Sequence, residues 1–123
     1  MEGMETKCIC AIRKIYKAIG AFEFELNRLL DININEAMLL CMLSEKANLT
    51  AGEIAEGMGL SKSNSSKVVA SLLKRGYVRR VLCKEDGRSC RFHLTPAGEE
   101  LLQRVHGDQV QLPEELQELI SRR

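Results

Sequence analysis

The chain has 123 residues, 45% hydrophobic and 28% charged, which describes one ordinary globular domain with at most helical extensions and excludes wholesale disorder. Aromatic residues are 4%, with no Trp, and no run approaches 18 apolar residues, which argues against an aromatic-lined pocket within one chain and against a membrane span. The net charge of +1 hides an uneven spread: residues 50–95 carry 9 Lys/Arg against 4 Asp/Glu, residues 1–49 carry 6 against 7, and residues 96–123 carry 3 against 6.

A basic middle between weakly acidic ends predicts one face for a polyanion, with the ends serving another purpose. The opening, MEGMETKCIC, puts two Glu where a secretory leader wants positive charge. A cytoplasmic protein with no membrane attachment is the expectation.

Residues 7–30 read as one long helix. Ile9, Ile12, Tyr16, Ile19, Phe22 or Glu23, Leu26 and Leu29 recur at spacings of three and four, and Ile15 and Leu30 widen the stripe. Gly20 weakens it by about 1 kcal/mol relative to Ala. Such a helix is too long for the core of a small domain to cover, so a partner helix is expected. Asp31 to Asn35 ends it, and Asn33 or Asn35 caps a second helix. That helix carries Ala37, Met38, Leu39, Leu40, Met42 and Leu43, is apolar nearly all round, and belongs in the core.

Thr50 and Glu53 form a capping box for a short helix with Ile54, Ala55 and Met58. Gly57-Met-Gly59-Leu60 turns the chain, and Ser61 caps residues 62–74. In that segment Val68, Val69, Leu72 and Leu73 face inward, and Lys62, Ser63, Asn64, Ser66 and Lys67 face outward. Gly76 terminates it. Tyr77 to Cys83 and Cys90 to Leu94 read as strands around the polar turn Lys84-Glu-Asp-Gly-Arg-Ser89, with Asp86-Gly87 at its tip. Thr95-Pro96 opens a further helix with Leu101, Leu102 and Val105, extending towards Val110 and Leu112. Pro113 restarts the helix, and Leu116, Leu119 and Ile120 make a last stripe.

The cysteines number five, Cys8, Cys10, Cys41, Cys83 and Cys90, an odd set that argues against a disulfide framework. Cys8 and Cys10 lack zinc-knuckle spacing. If Cys83 faced Cys90 across the hairpin, their Cβ atoms would lie about 4.5–5.5 Å apart, near disulfide range. A slip of one residue sends the sulfurs to opposite faces. Free thiols are the expectation. His93 and His106 are isolated, nothing resembles a catalytic triad, and no glycine-rich phosphate loop is present. Neither an enzyme activity, a cofactor nor a metal is expected.

A short helix, a glycine turn and a second helix with a small, basic outer face make a helix-turn-helix, and the hairpin behind it makes the unit winged. The major groove, about 12 Å wide, admits a helix, and short Ser and Asn side chains let it approach base edges. Lysines reach phosphates. An arginine at a hairpin tip fits the narrow minor groove, where the negative potential is strongest.

Residues Leu49 to Ser61, with Leu72-Leu-Lys-Arg-Gly-Tyr-Val-Arg-Arg80, Asp86-Gly-Arg-Ser89 and Leu94-Thr-Pro-Ala-Gly98, resemble the MarR family of winged-helix transcriptional regulators. The resemblance is close over about residues 35–100 and extends to the flanking helices by layout. It implies a homodimer, a palindromic operator in double-stranded DNA, and repression relieved by a small-molecule effector or by thiol oxidation. It further implies that Ser61 to Lys74 is the recognition helix, and that Arg88 enters the minor groove while Asp86 braces it.

The expected fold class is therefore mainly α with a small β-hairpin wing. Residues 35–96 form the winged helix-turn-helix DNA-binding domain, with an N-terminal dimerisation helix over 1–34 and C-terminal dimerisation helices over 97–123. Candidate DNA-binding residues are Ser61, Lys62, Ser63, Asn64, Ser66, Lys67, Lys84, Asp86, Arg88 and Arg91. The expected function is a sequence-specific DNA-binding regulator, a repressor released by a small ligand. A winged-helix protein-interaction module and a thiol-based redox sensor are the alternatives.

Overall fold

The computed structural model describes residues 2–82, 90–107 and 110–121, and of residues 2–7, 82 and 121 the backbone alone. Helix α1 runs over Glu2–Leu30 and α2 over Ile34–Glu45. Between them Asp31 adopts a left-handed φ of 57°, which turns the chain. Asn33, and not Asn35, caps α2: its side chain accepts the Glu36 N–H at 2.8 Å, and the Glu36 carboxylate accepts the Asn33 N–H at 2.9 Å. This is a complete capping box.

The apolar stripe on α1 has two fates. Its C-terminal half, with Leu26 and Leu30, is buried against the rest of the chain, whereas Ile9, Ile12 and Tyr16 are 66%, 59% and 79% exposed. The monomer covers the second half of the stripe and leaves the first half open.

Strand β1, Leu49–Thr50, precedes α3, Ala51–Met58, and α4, Lys62–Lys74; β2, Val78–Leu82, and β3, Cys90–Leu94, follow. The sheet has the order β1-β3-β2, with Leu49 opposite Phe92 and Val78 opposite Leu94. The sequence predicts a two-stranded hairpin, and β1 adds a third, two-residue strand to it. Helix α5, Pro96–His106, starts at the Thr95 cap, whose hydroxyl accepts the Gly98 N–H at 3.0 Å. It ends at Gly107, so Val110 is buried in the connection to α6, Glu114–Ser121, and is not part of a helix.

One cluster joins Leu26, Leu30 and Ile32 to Leu39, Leu40 and Leu43 of α2, Ile54 of α3, Val68, Val69 and Leu72 of α4, Val78 and Phe92 of the sheet, and Leu101 and Leu102 of α5. Burial of this set holds α3 and α4 at a fixed angle beside the sheet, which is what gives the outer face of α4 a defined direction.

Candidate nucleic-acid interface

The turn between α3 and α4 is built from caps. Thr50 accepts the Glu53 N–H at 3.2 Å, and Glu53 returns the bond to the Thr50 N–H at 2.9 Å. That backbone bond, the Thr50 hydroxyl and then the cations Lys46 and Arg91 hold the Glu53 carboxyl below the usual carboxylate range. Gly59 closes α3 in the left-handed region at φ 69°, where a side chain would be strained. Ser61 then caps α4 by accepting the Asn64 N–H at 3.1 Å.

On α4 the side chains of Ser65, Val68, Val69 and Leu72 are buried. Lys62, Ser63, Asn64, Ser66 and Lys67 are all exposed, as Ser61 is. The predicted outer face is thus brought together on the first two turns of one helix. Lys84, Asp86 and Arg88, assigned from the sequence to the wing tip, lie outside the described residues. Arg91 already has partners: its guanidinium donates to the Asn48 carbonyl at 2.9 Å and lies 3.8 Å from Glu53. It ties β3 to the start of α3.

Arg80 was not singled out from the sequence. It lies on β2 directly opposite Phe92, with its guanidinium 6.0 Å from the Phe92 ring centre. It shares a shallow cleft with Ser66 and Ala70 of α4, so an exposed cation stands beside the outer face of α4. The signal was the strand register, which pairing decides and local sequence does not.

The same register bears on the thiols. Leu82 is opposite Cys90. Cys83 itself lies outside the described residues, and Cys90 is a free thiol, as are Cys8, Cys10 and Cys41. Burial, and after it the Glu45 carboxylate, pushes the Cys41 thiol up, which disfavours the reactive thiolate.

A second feature lies on the far side of α2. A cleft of about 960 Å³ opens between α1, α2, α5 and α6. Phe22, Met38, Cys41, Leu102 and Ile120 are among its walls, and His106 and Gln111 are on its rim. No helix among the described residues is long and apolar enough to cross a membrane.

A profile of the MarR family matches residues 30–89. YpoP, an HTH-type transcriptional regulator of Bacillus subtilis (strain 168), is 35% identical over 105 residues, spanning 84% of this chain and 70% of YpoP. The chain belongs to the MarR family. Sco3205, a MarR family transcriptional regulator from Streptomyces coelicolor solved in complex with DNA, is similar with a TM-score of 0.79 at 25% identity, over 99% of this chain and 83% of that one. The PcaV transcriptional regulator from Streptomyces coelicolor, solved in complex with its natural ligand, shares the fold with a TM-score of 0.69 at 22% identity, over 91% of this chain and 77% of that one. This MarR protein is a transcriptional regulator with a DNA-binding winged helix, and not an enzyme.

Proposed function

We propose that the protein is a homodimeric repressor that binds a palindromic duplex operator and is released by a small molecule. The observation that carries this reading is the outer face of α4, where five short or cationic side chains stand exposed together on a helix fixed by core packing. Ser63, Asn64 and Ser66 read base edges. Ser61, Lys62 and Lys67 take the phosphate backbone. Arg88 enters the minor groove from the wing with Asp86 bracing it, and Lys84 adds a phosphate contact. Arg91 acts at one remove, by holding the base of the wing against α3.

The open half of the α1 stripe supports the dimer: Ile9, Ile12 and Tyr16 are apolar surface that a second copy covers. Residues 1–34 and 97–123 serve as the arms and residues 35–96 as the DNA-binding domain. The cleft between α1, α2, α5 and α6 supports a ligand site, and PcaV, of the same fold, was solved with a natural ligand. A ligand there acts through α2, whose first turn also contacts α4 through Glu36.

The test is selection of duplexes from a random library by the full chain, followed by anisotropy titration of the selected duplex and a scrambled one at a single salt concentration. The reading expects the selected duplex to bind at least a hundredfold more tightly, and added protein to lower transcription from a promoter that contains it. Equal affinity for both duplexes contradicts sequence-specific regulation.

A further inference from the structure

The junction of α1 and α2 contains a buried carboxylate that no DNA contact uses. Glu36 is 4% exposed, third in α2, and flanked by the buried Ala37, Leu39 and Leu40. Burying a charged group is unfavourable unless its oxygens find partners. One oxygen, Oε1, completes the capping box with the Asn33 N–H. The other, Oε2, points away from its own helix to α4, where the Ser71 hydroxyl donates to it at 2.6 Å and an Arg75 nitrogen lies 3.5 Å away.

The position of Ser71 on α4, and of Arg75 at its C-cap, matters. Ser71 follows Asn64 by seven positions and Arg75 follows Ser71 by four, so all three share one stripe of the helix, with a drift of about 20° over the seven. The N-terminal end of this stripe is exposed at Asn64 and Lys67, and its C-terminal end is gripped by Glu36. The grip continues outward. Arg75 also lies 3.8 Å from Asp31 at the end of α1 and 5.2 Å from the Tyr77 ring centre. The Glu23 carboxylate of α1 accepts the Ile34 N–H at the start of α2, at 3.2 Å. A continuous set of polar contacts thus runs from the dimer arm, through the first turn of α2, to the recognition helix.

We propose that Glu36 is a positioning residue for DNA recognition: through Ser71 and Arg75 it fixes the rotation of α4 about its own axis, and so the angle at which Asn64 meets the duplex. A rotation of about 20° moves a side-chain tip on a helix of about 5–6 Å radius by roughly 2 Å. That is enough to break a hydrogen bond to a base edge. A phosphate contact through a long lysine tolerates the same shift. Loss of the grip therefore lowers discrimination between sequences more than it lowers affinity for DNA in general. This rests on the reading of α4 as the recognition helix.

Ser71→Ala tests it, because it removes the hydroxyl from Oε2 and leaves the capping box intact. The full-length variant and wild type are titrated with the selected duplex and with its scrambled form, and thermal melting is followed alongside. The expected result is a fall of at least fivefold in the ratio of the two affinities, with scrambled-duplex affinity within twofold of wild type. Ser71→Thr, which keeps the hydroxyl, restores the ratio. An unchanged ratio in Ser71→Ala overturns the proposal. So does a parallel loss of both affinities that tracks the melting temperature, which marks a merely structural bond, and so does a Thr variant as poor as Ala. A wild-type chain that selects no duplex overturns the reading of α4 itself, and the proposal with it.

Discussion

Gly98 sits where the first turn of α5 crosses the Tyr77 carbonyl. A Cβ at this position collides with the Tyr77 oxygen and crowds Leu94. The same carbonyl accepts the Thr95 N–H at 3.1 Å, and the Thr95 hydroxyl donates to Gly76 at 2.7 Å, so the backbone cannot retreat without losing bonds. Gly98→Ala, a change that stabilises most helices, is expected to destabilise this one by about 1–3 kcal/mol through overpacking. Urea unfolding of wild type and variant measures it, and an unchanged midpoint contradicts it. Other single residues were only half legible. Asn33 and Glu36 have the capping-box spacing in the sequence itself, although sequence reading left Asn33 and Asn35 level as caps. That the Glu36 carboxylate also holds Ser71, 35 residues onward, depends on how α2 packs against α4 and leaves no local trace.

At the scale of elements, the pattern of apolar spacing and caps located the helices well. The capping box at Thr50, the cap at Ser61 and the proline start of α5 were read correctly because each is a local hydrogen-bonding requirement. Strand β1 was missed because two residues, Leu49 and Thr50, show no alternation, and they become a strand only when β3 pairs with them. The hairpin register had the same character: it sets Arg80 opposite Phe92 and Leu82 opposite Cys90, which local sequence does not decide. Within α4 the proposal separates two kinds of contact. Asn64→Ala is expected to relax preference at one or two base positions by about 1–3 kcal/mol. Lys67→Ala is expected to weaken binding to all duplexes alike and to lower the slope of log affinity against log salt by about 1. Titrations over a salt series with matched and mismatched duplexes distinguish them. A Lys67 variant with altered preference and an unchanged slope reverses the assignments.

The whole molecule is decided by surfaces that a single chain leaves open. The sequence showed a stripe on α1 too long for one small core, and the structure divides it, with Leu26 and Leu30 buried and Ile9, Ile12 and Tyr16 exposed. The division itself was not legible, since spacing alone does not say where the covering helices stop. If a second copy covers the open half, burying more than about 1,000 Å² in total, the protein is a dimer at micromolar concentration. Ile12→Glu places a charge in that interface and is expected to yield monomers in sedimentation, with operator affinity at least tenfold weaker because two linked half-sites become one. A dimeric Ile12→Glu variant moves the interface elsewhere on the molecule.

The central claim is that two copies present two recognition helices to one face of duplex DNA. It is tested most directly by the sequence that the full chain selects from a random duplex library. The account predicts a two-fold symmetric sequence with half-sites centred about 10–10.5 base pairs, one helical turn, apart. An enriched sequence without symmetry, or no enrichment at all, would contradict it.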